Sequence, residues 1–379
     1  MRVTIVQEHL PHYRVRFYEL LRELLSAEGV RLDLVYDPRT ASNLLAGKLP
    51  WATPVRMRRC FRAAWHPLWP FINGSDLVIV PQETKYLSTY LLLLQRVLGK
   101  FKFAFWGHGR NFQARNPRSA SEKLKRFVSL KCDWWFAYND LSAQVVKELG
   151  FPVERITSVQ NAVDVQAMST AREALNHADM LIARQELGLI GDNVAVFAGG
   201  LYDDKRLPFL VQACDLVRQK ISDFELIVIG KGPREDVILE AAKSRLWIHP
   251  VGPKGDLEKI RYWCQAKLCL MPGAVGLVVL DSFALRTPMV TTAFPYHGPE
   301  FVYLLGGING VVVPEWESSE AYANAVVELL LDEPRRIRLV EAGLSVLEKY
   351  TIQNMSRNFA SGILACLGLS SKTMLRSST

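Results

Sequence analysis

The chain has 379 residues, which at ordinary domain size implies two domains. Hydrophobic residues make up 49% and charged residues 22%, so a substantial core can be buried; disorder, a collagen-like chain and a disulfide-stapled miniprotein are excluded. A formal net charge of +8 points to nucleic acid, a membrane surface or a phosphorylated ligand as partner.

Residues 3–6 read as a buried strand, with neither the h-region nor the small-residue cleavage site of a signal peptide. Further apolar runs at 32–35, 77–80, 103–106 and 134–137 predict strands, and helical periods at 15–27, 87–98, 121–130 and 141–149 predict helices between them. The most apolar stretch, 86–98, is too short to span a bilayer. The basic run Arg56-Met-Arg-Arg-Cys-Phe-Arg62, followed by Trp65, Trp69 and Phe71, suits the headgroups of an anionic membrane; a basic helix with inward-packed aromatics is the alternative. Residues 1–170 carry ten surplus positive charges and the remainder is acidic by two, so an anionic surface partner belongs to the first half.

The polar stretch 164–184 reads as irregular and precedes a second series of strands at 194–198, 225–229, 248–251, 268–271, 288–291 and 310–313. Helices are expected at 208–219, 234–242, 257–265, 278–284, 319–331 and 335–349. This alternation predicts an α/β protein of two doubly wound, Rossmann-like domains facing one another across a cleft at their strand C-termini. The expected domains are 1–170 and 171–350, with a C-terminal helix over 351–369 returning to the first domain and a polar tail at 370–379. Six cysteines form no C-x-x-C pair, which argues for buried reduced thiols in a cytoplasmic protein rather than a zinc site.

Three glycine-rich turns carry the chemistry. Phe197-Ala-Gly-Gly-Leu-Tyr-Asp-Asp-Lys-Arg-Leu207 ends a strand at Gly199 and Gly200 and places Lys205 and Arg206 before a helix, an arrangement suited to a diphosphate. A plain turn with a solvated Lys-Arg pair stays open as the alternative. Leu226-Ile-Val-Ile-Gly-Lys-Gly-Pro-Arg234 brings Gly230 and Gly232 to a second strand end, where glycine permits close approach of a ligand or simply a tight turn. In Leu270-Met-Pro-Gly-Ala-Val-Gly-Leu-Val-Val-Leu-Asp281, a turn from Gly273 through Ala274, Val275 and Gly276 to Leu277 offers free N–H groups to a phosphate. Asp281 then either answers the helix dipole or accepts hydrogen bonds from a ribose.

In this order the three stretches resemble the retaining GT-B glycosyltransferases of family 4. Val159-Gln-Asn-Ala-Val-Asp164, Gly298-Pro-Glu300, Gly307-Ile-Asn-Gly-Val-Val-Val-Pro314 and Pro11-His-Tyr-Arg-Val-Arg-Phe-Tyr18 are similar to family motifs too, so the resemblance spans nearly the whole chain. It implies transfer of a sugar from a nucleotide-diphosphate donor, retained anomeric configuration by front-face attack, no metal and no cofactor. Lys205 matches the family's diphosphate-holding lysine, while its arginine falls on Gly200, for which Arg206 is the substitute at hand. The family's Glu-x7-Glu pair maps onto Gly273 and Asp281: the second position stays acidic for the ribose, and the first loses the carboxylate that contacts the donor sugar.

Glu300 joins the donor side through its motif. In the first domain, Phe105-Trp-Gly-His-Gly-Arg-Asn111 makes His108 the polar active-site candidate by likeness to the family; a structural hydrogen-bonding role is the alternative. His12, Arg14 and Arg110 accompany it on the acceptor side. The expected catalytic residues are thus His108, Lys205 and Asp281, and the absence of any D-x-D sequence fits a metal-independent reaction.

The expected acceptor is a glycan or a polyprenyl-linked glycan, the latter at the inner face of the plasma membrane, in surface-polysaccharide assembly. A degenerate homologue that binds nucleotide sugar without turnover and a nucleotide-sugar epimerase are the competing readings. Nucleic acid is not expected, since the basic half shows no recognised binding motif.

Overall fold

The computed structural model describes residues 1–39, 49–60, 63–83, 85–112 and 120–370. The described chain divides into two compact units: Met1–Asn161 together with the chain from Ile352, and Ala162–Thr351.

Unit 1 opens with β1 (Arg2–Gln7), α1 (Val15–Ala27), β2 (Arg31–Tyr36), β3 (Thr53–Pro54), β4 (Arg58–Cys60), β5 (Ala63–Trp65) and α2 (Trp69–Ile72). It continues with β6 (Leu77–Pro81), α3 (Leu87–Val97), β7 (Lys102–Gly107), α4 (Ala120–Ser129), β8 (Trp134–Ala137), α5 (Asp140–Glu148) and β9 (Ile156–Ser158). The sheet order is β3-β2-β1-β6-β7-β8-β9, and every pairing within it is parallel. Because both faces of a parallel sheet are covered, its strands are continuous apolar runs: the four residues Val3 to Val6 of β1 are all buried.

Unit 2 holds α6 (Val165–Glu173), α7 (His177–Leu187), β10 (Asn193–Ala198), α8 (Leu207–Lys220), β11 (Phe224–Ile229), α9 (Glu235–Ser244), β12 (Ile248–Gly252) and α10 (Ile260–Trp263). After these come β13 (Leu268–Met271), α11 (Val278–Ala284), β14 (Met289–Thr292), β15 (Gly310–Val313), α12 (Ser319–Leu331) and α13 (Glu333–Leu347). Its sheet order, β12-β11-β10-β13-β14-β15, is the doubly wound dinucleotide-domain order, with the direction of winding reversing between β10 and β13. The last helix, α14 (Ile352–Leu367), belongs to unit 1, where Phe359 packs among the rings of Phe17, Trp106 and Phe136.

Several expectations are corrected. The stretch 164–184 is helical: Asp164 caps α6 by accepting from the Ala167 N–H, and Asn176 with Asp179 forms a capping box at the start of α7. Unit 1 ends at Asn161 rather than at 170, since α6 is tied into unit 2 by Arg172 donating to the Leu285 carbonyl. The helix expected over 257–265 is confined to Ile260–Trp263. The run from Arg56 is extended rather than helical, with β4 and β5 forming an antiparallel hairpin in which Arg58 lies opposite Trp65. Phe71 packs against the unit 1 core, whereas Trp69 is exposed beneath the Lys100 ammonium. Cys132, Cys214, Cys269 and Cys366 are buried free thiols. Phe61 and Arg62 of the basic run, and residues 371–379 of the expected tail, lie outside the described residues.

Candidate active site

Ligands of doubly wound sheets bind beyond the strand C-termini where the winding reverses. In unit 2 this position lies between β10 and β13, paired through Ala195 and Leu268, and it holds Lys205 and the turn after Met271.

The Lys205 side chain is buried, and its ammonium donates a hydrogen bond to the Ala274 carbonyl. Burial lowers its pKa to about 8, opposed by the negative charges of Asp204 and Glu300. A buried ammonium near its own pKa is a strong answer to an arriving diphosphate, because the anion replaces solvation the lysine lacks. The Ala274 N–H donates to Asp204 O (2.8 Å), locking the lysine's loop to the turn.

Only part of that turn offers free N–H groups, contrary to expectation. Ala274 is used as described, and the Val275 N–H donates to His297 Nδ1 at 3.0 Å. Among the described residues, the N–H groups of Gly276 and Leu277 make no hydrogen bond within the chain. His297 Nε2 then donates to the Thr292 carbonyl (2.9 Å), which fixes the tautomer, and its ring stacks on Phe301 at 3.8 Å. Burial pulls the His297 pKa down to about 4, so the imidazole stays neutral and keeps both bonds.

Gly273 has a packing reason that the sequence does not show. A Cβ there would lie 2.2 Å from the Asp204 carbonyl oxygen and 2.8 Å from the Lys205 Cα. Backbone sits where the resemblance expects a carboxylate. Gly276 by contrast is open, with nothing within 4 Å.

Gly230 and Gly232 are likewise packing glycines, since Cβ atoms would strike Gly199 O at 1.9 Å and Leu201 O at 2.3 Å. Gly199 has φ +150° and leaves room beside the Lys205 side chain, and a Cβ at Gly200 would meet the Tyr202 ring.

Arg206 is engaged within unit 2 through one end of its guanidinium. Its guanidinium donates to the carbonyls of Pro272 (3.2 Å) and Trp316 (2.6 Å) and lies 4.0 Å from the Phe209 ring centroid. It is a structural clamp. Asp281 is buried on α11 and accepts a 2.6 Å hydrogen bond from Lys259, a residue sequence reasoning passed over. Burial opposes the Lys259 charge, but Asp281 and Asp256 outweigh it and hold the ammonium protonated. Glu300, in the short helix Pro299–Tyr303, is buried in the same corner as Lys205.

In unit 1, His108 follows β7. Burial, then the charges of Lys125 and Arg14, lower its pKa to about 3. The neutral ring stacks on Tyr138 at 4.1 Å, and its buried Nδ1 makes no hydrogen bond among the described residues. Gln82, also missed in the sequence, clamps this loop by bonding both the N–H and the carbonyl of Gly109 at 3.1 Å. Arg14 is buried: it donates to Asn161 Oδ1 and lies 5.7 Å from the Trp106 centroid. His12 is half-buried in the same short helix, and exposed Arg110 rests on Phe112. Glu8, just after β1, is a further missed group, bound by Arg59, Lys85 and Tyr86, whose donors hold its carboxyl below the usual range despite burial. Residues far apart in sequence meet here only because the sheet aligns its strand ends.

Two Rossmann-like units, the second in dinucleotide-domain order with a lysine and a glycine turn at its switch point, define the GT-B fold. Residues 192–332 match the family model described as glycosyl transferases group 1. The chain is 25% identical over 198 residues to a phosphatidyl-myo-inositol mannosyltransferase of Mycobacterium leprae, covering 51% of this chain and 49% of the relative. It is 26% identical over 192 residues to a lipopolysaccharide 1,2-N-acetylglucosaminetransferase of Salmonella typhimurium, covering 46% and 49%. It thus spans about half the length of the curated relatives it matches. The structure of Anabaena HepE in complex with UDP-glucose superposes with a TM-score of 0.72 at 13% identity, covering 96% of this chain and all of that one.

Proposed function

We propose that this protein is a retaining, metal-independent glycosyltransferase that moves a sugar from a nucleotide-diphosphate donor to a lipid-linked glycan in cell-surface polysaccharide assembly. The observation that carries the reading is the buried Lys205 ammonium joined to the Gly273–Leu277 turn at the switch point of unit 2. The group 1 match over the same unit and the sugar-transferring relatives support it.

In this reaction the bond between the anomeric carbon and the β-phosphate oxygen breaks, and its electron pair leaves with the diphosphate. The acceptor oxygen bonds to the anomeric carbon on the same face, and its proton passes to the departing phosphate oxygen. Charge therefore builds where Lys205 and the N–H groups of Gly276 and Leu277 are already in place, which is where preorganised donors act most strongly. Asp281, held by Lys259, accepts from the ribose hydroxyls. On the acceptor side, burial keeps His108 neutral.

Gly273 favours one competitor, a homologue that binds donor without turnover, because no side-chain carboxylate can stand there. Calorimetry with UDP-, GDP- and dTDP-sugars, followed by hydrolysis and transfer assays, separates the two. Binding with donor cleavage supports the transferase, binding alone supports the degenerate homologue, and epimerised donor sinks both.

A further inference from the structure

Helix α3 has leucines on the side away from the core. Ser88, Thr89 and Leu92 are buried and Leu93 packs against the core, whereas Leu87, Leu91, Leu94 and Leu98 are 49%, 42%, 58% and 66% exposed. At 100° per residue these four fall within roughly 60° of arc, nearly opposite the buried face. A helix apolar on both faces belongs between two apolar layers, and only one of them is the protein core.

The surface extends to α4, which packs on the same core cluster through Val128 and exposes Leu124 and, at 62%, Phe127. Cations surround it. Lys100 and Lys131 sit over the exposed rings of Trp69 and Phe127 at 4.7 and 4.9 Å, and Lys123 and Arg126 are exposed on α4. The sequence of α3 has no acidic residue, and Asp133 is neutralised by a two-point pair with Arg96.

We infer that the α3–α4 face is the surface by which this protein docks on an anionic phospholipid bilayer. The leucine stripe and Phe127 enter the headgroup–acyl boundary, and the basic rim meets lipid phosphates. No helix among the described residues is long and apolar enough to cross a membrane, so the contact is interfacial. A second copy fits poorly: an isologous pair would set one basic rim against another. The inference takes its partner from the membrane-linked reading above, but it moves the contact away from the hairpin of Arg58 and Trp65.

The test is flotation of the full chain with vesicles of phosphatidylcholine alone and of phosphatidylcholine with phosphatidylglycerol. The wild type is expected to float with the anionic vesicles only. Leu91→Glu/Leu94→Glu, both on exposed positions, should lower the bound fraction by roughly tenfold or more, with circular dichroism unchanged. The hairpin variant Arg56→Glu/Arg58→Glu should float far better than the leucine variant. The inference is overturned if the leucine variant floats like wild type, if wild type binds neutral vesicles equally or neither kind, or if the hairpin variant alone loses binding. A concentration-dependent dimer dissolved by the leucine substitutions also overturns it. UDP titration of each sample keeps the donor reading separate: flotation without UDP binding leaves the surface standing and removes the donor site.

Discussion

Lys259 Nζ lies 2.6 Å from Asp281 Oδ2, and neither residue is more than 9% exposed. Removing one partner strands the other's charge in a poorly solvated place, whereas removing both does not. Lys259→Met should destabilise unit 2 by about 3–5 kcal/mol, and Lys259→Met/Asp281→Asn should recover most of it. Urea denaturation of the singles and the double gives the coupling; additive losses would show that the pair is not an energetic unit.

Lys205 should make binding at the proposed donor site sensitive to pH on the alkaline side. Its pKa of about 8 means that the ammonium is lost as pH rises through 8, well before an ordinary lysine titrates. UDP affinity should fall between pH 7 and 9.5 in wild type and stay flat in Lys205→Met. At pH 7 that substitution should weaken UDP about 10- to 100-fold, the range for a lost hydrogen bond to a charged group. Folding stability should not drop, since the buried charge is itself a cost. Calorimetry across the pH series decides; equal affinity in the two proteins at pH 7 removes Lys205 from the phosphate site.

Gly273 and Gly276 should respond in opposite ways. Gly273→Ala forces its methyl into the Asp204–Lys205 backbone and should cost ~1–3 kcal/mol or more, with weaker UDP binding because Lys205 moves. Gly276→Ala has open space and should lie within about 0.5 kcal/mol of wild type. Thermal melts with and without UDP check both. If Gly273→Ala melts with wild type, backbone crowding is not what requires glycine there.

Acid should weaken unit 2 through His297. Its folded pKa is depressed to about 4, against about 6.5 unfolded, so the unfolded chain binds the extra proton first. The stabilisation is full above about pH 6.5 and is lost as pH falls toward 4. His297→Asn should lower stability at pH 7.5 and flatten the slope between pH 6.5 and 4. Denaturation midpoints at several pH values test it; an unchanged slope would mean that other groups govern the acid response.

Much of the architecture was written into local pattern. Strands such as β1, β10 and β13 are uninterrupted apolar runs because a parallel sheet is covered on both faces, and that demand is visible in four to six residues. The turn carrying Lys205 was legible for the same local reason. The helices over 164–184 were hidden by their polarity, although their caps, Asp164 and Asn176 with Asp179, stood in the sequence.

What sequence could not decide was every relationship between residues distant along the chain. Lys259 meets Asp281 from the turn before α10, and Val275 takes its acceptor from His297, 22 residues on. That one end of the Arg206 guanidinium binds two carbonyls beside an aromatic cluster is invisible in the turn's own sequence. Gly273 read as a lost carboxylate, while in three dimensions its hydrogen marks where two backbones touch. The leucines of α3 show only that the helix is apolar; which of them face solvent depends on how it lies against the sheet. Pattern along the chain reports what one element needs from its surroundings, and only packing decides which atoms supply it.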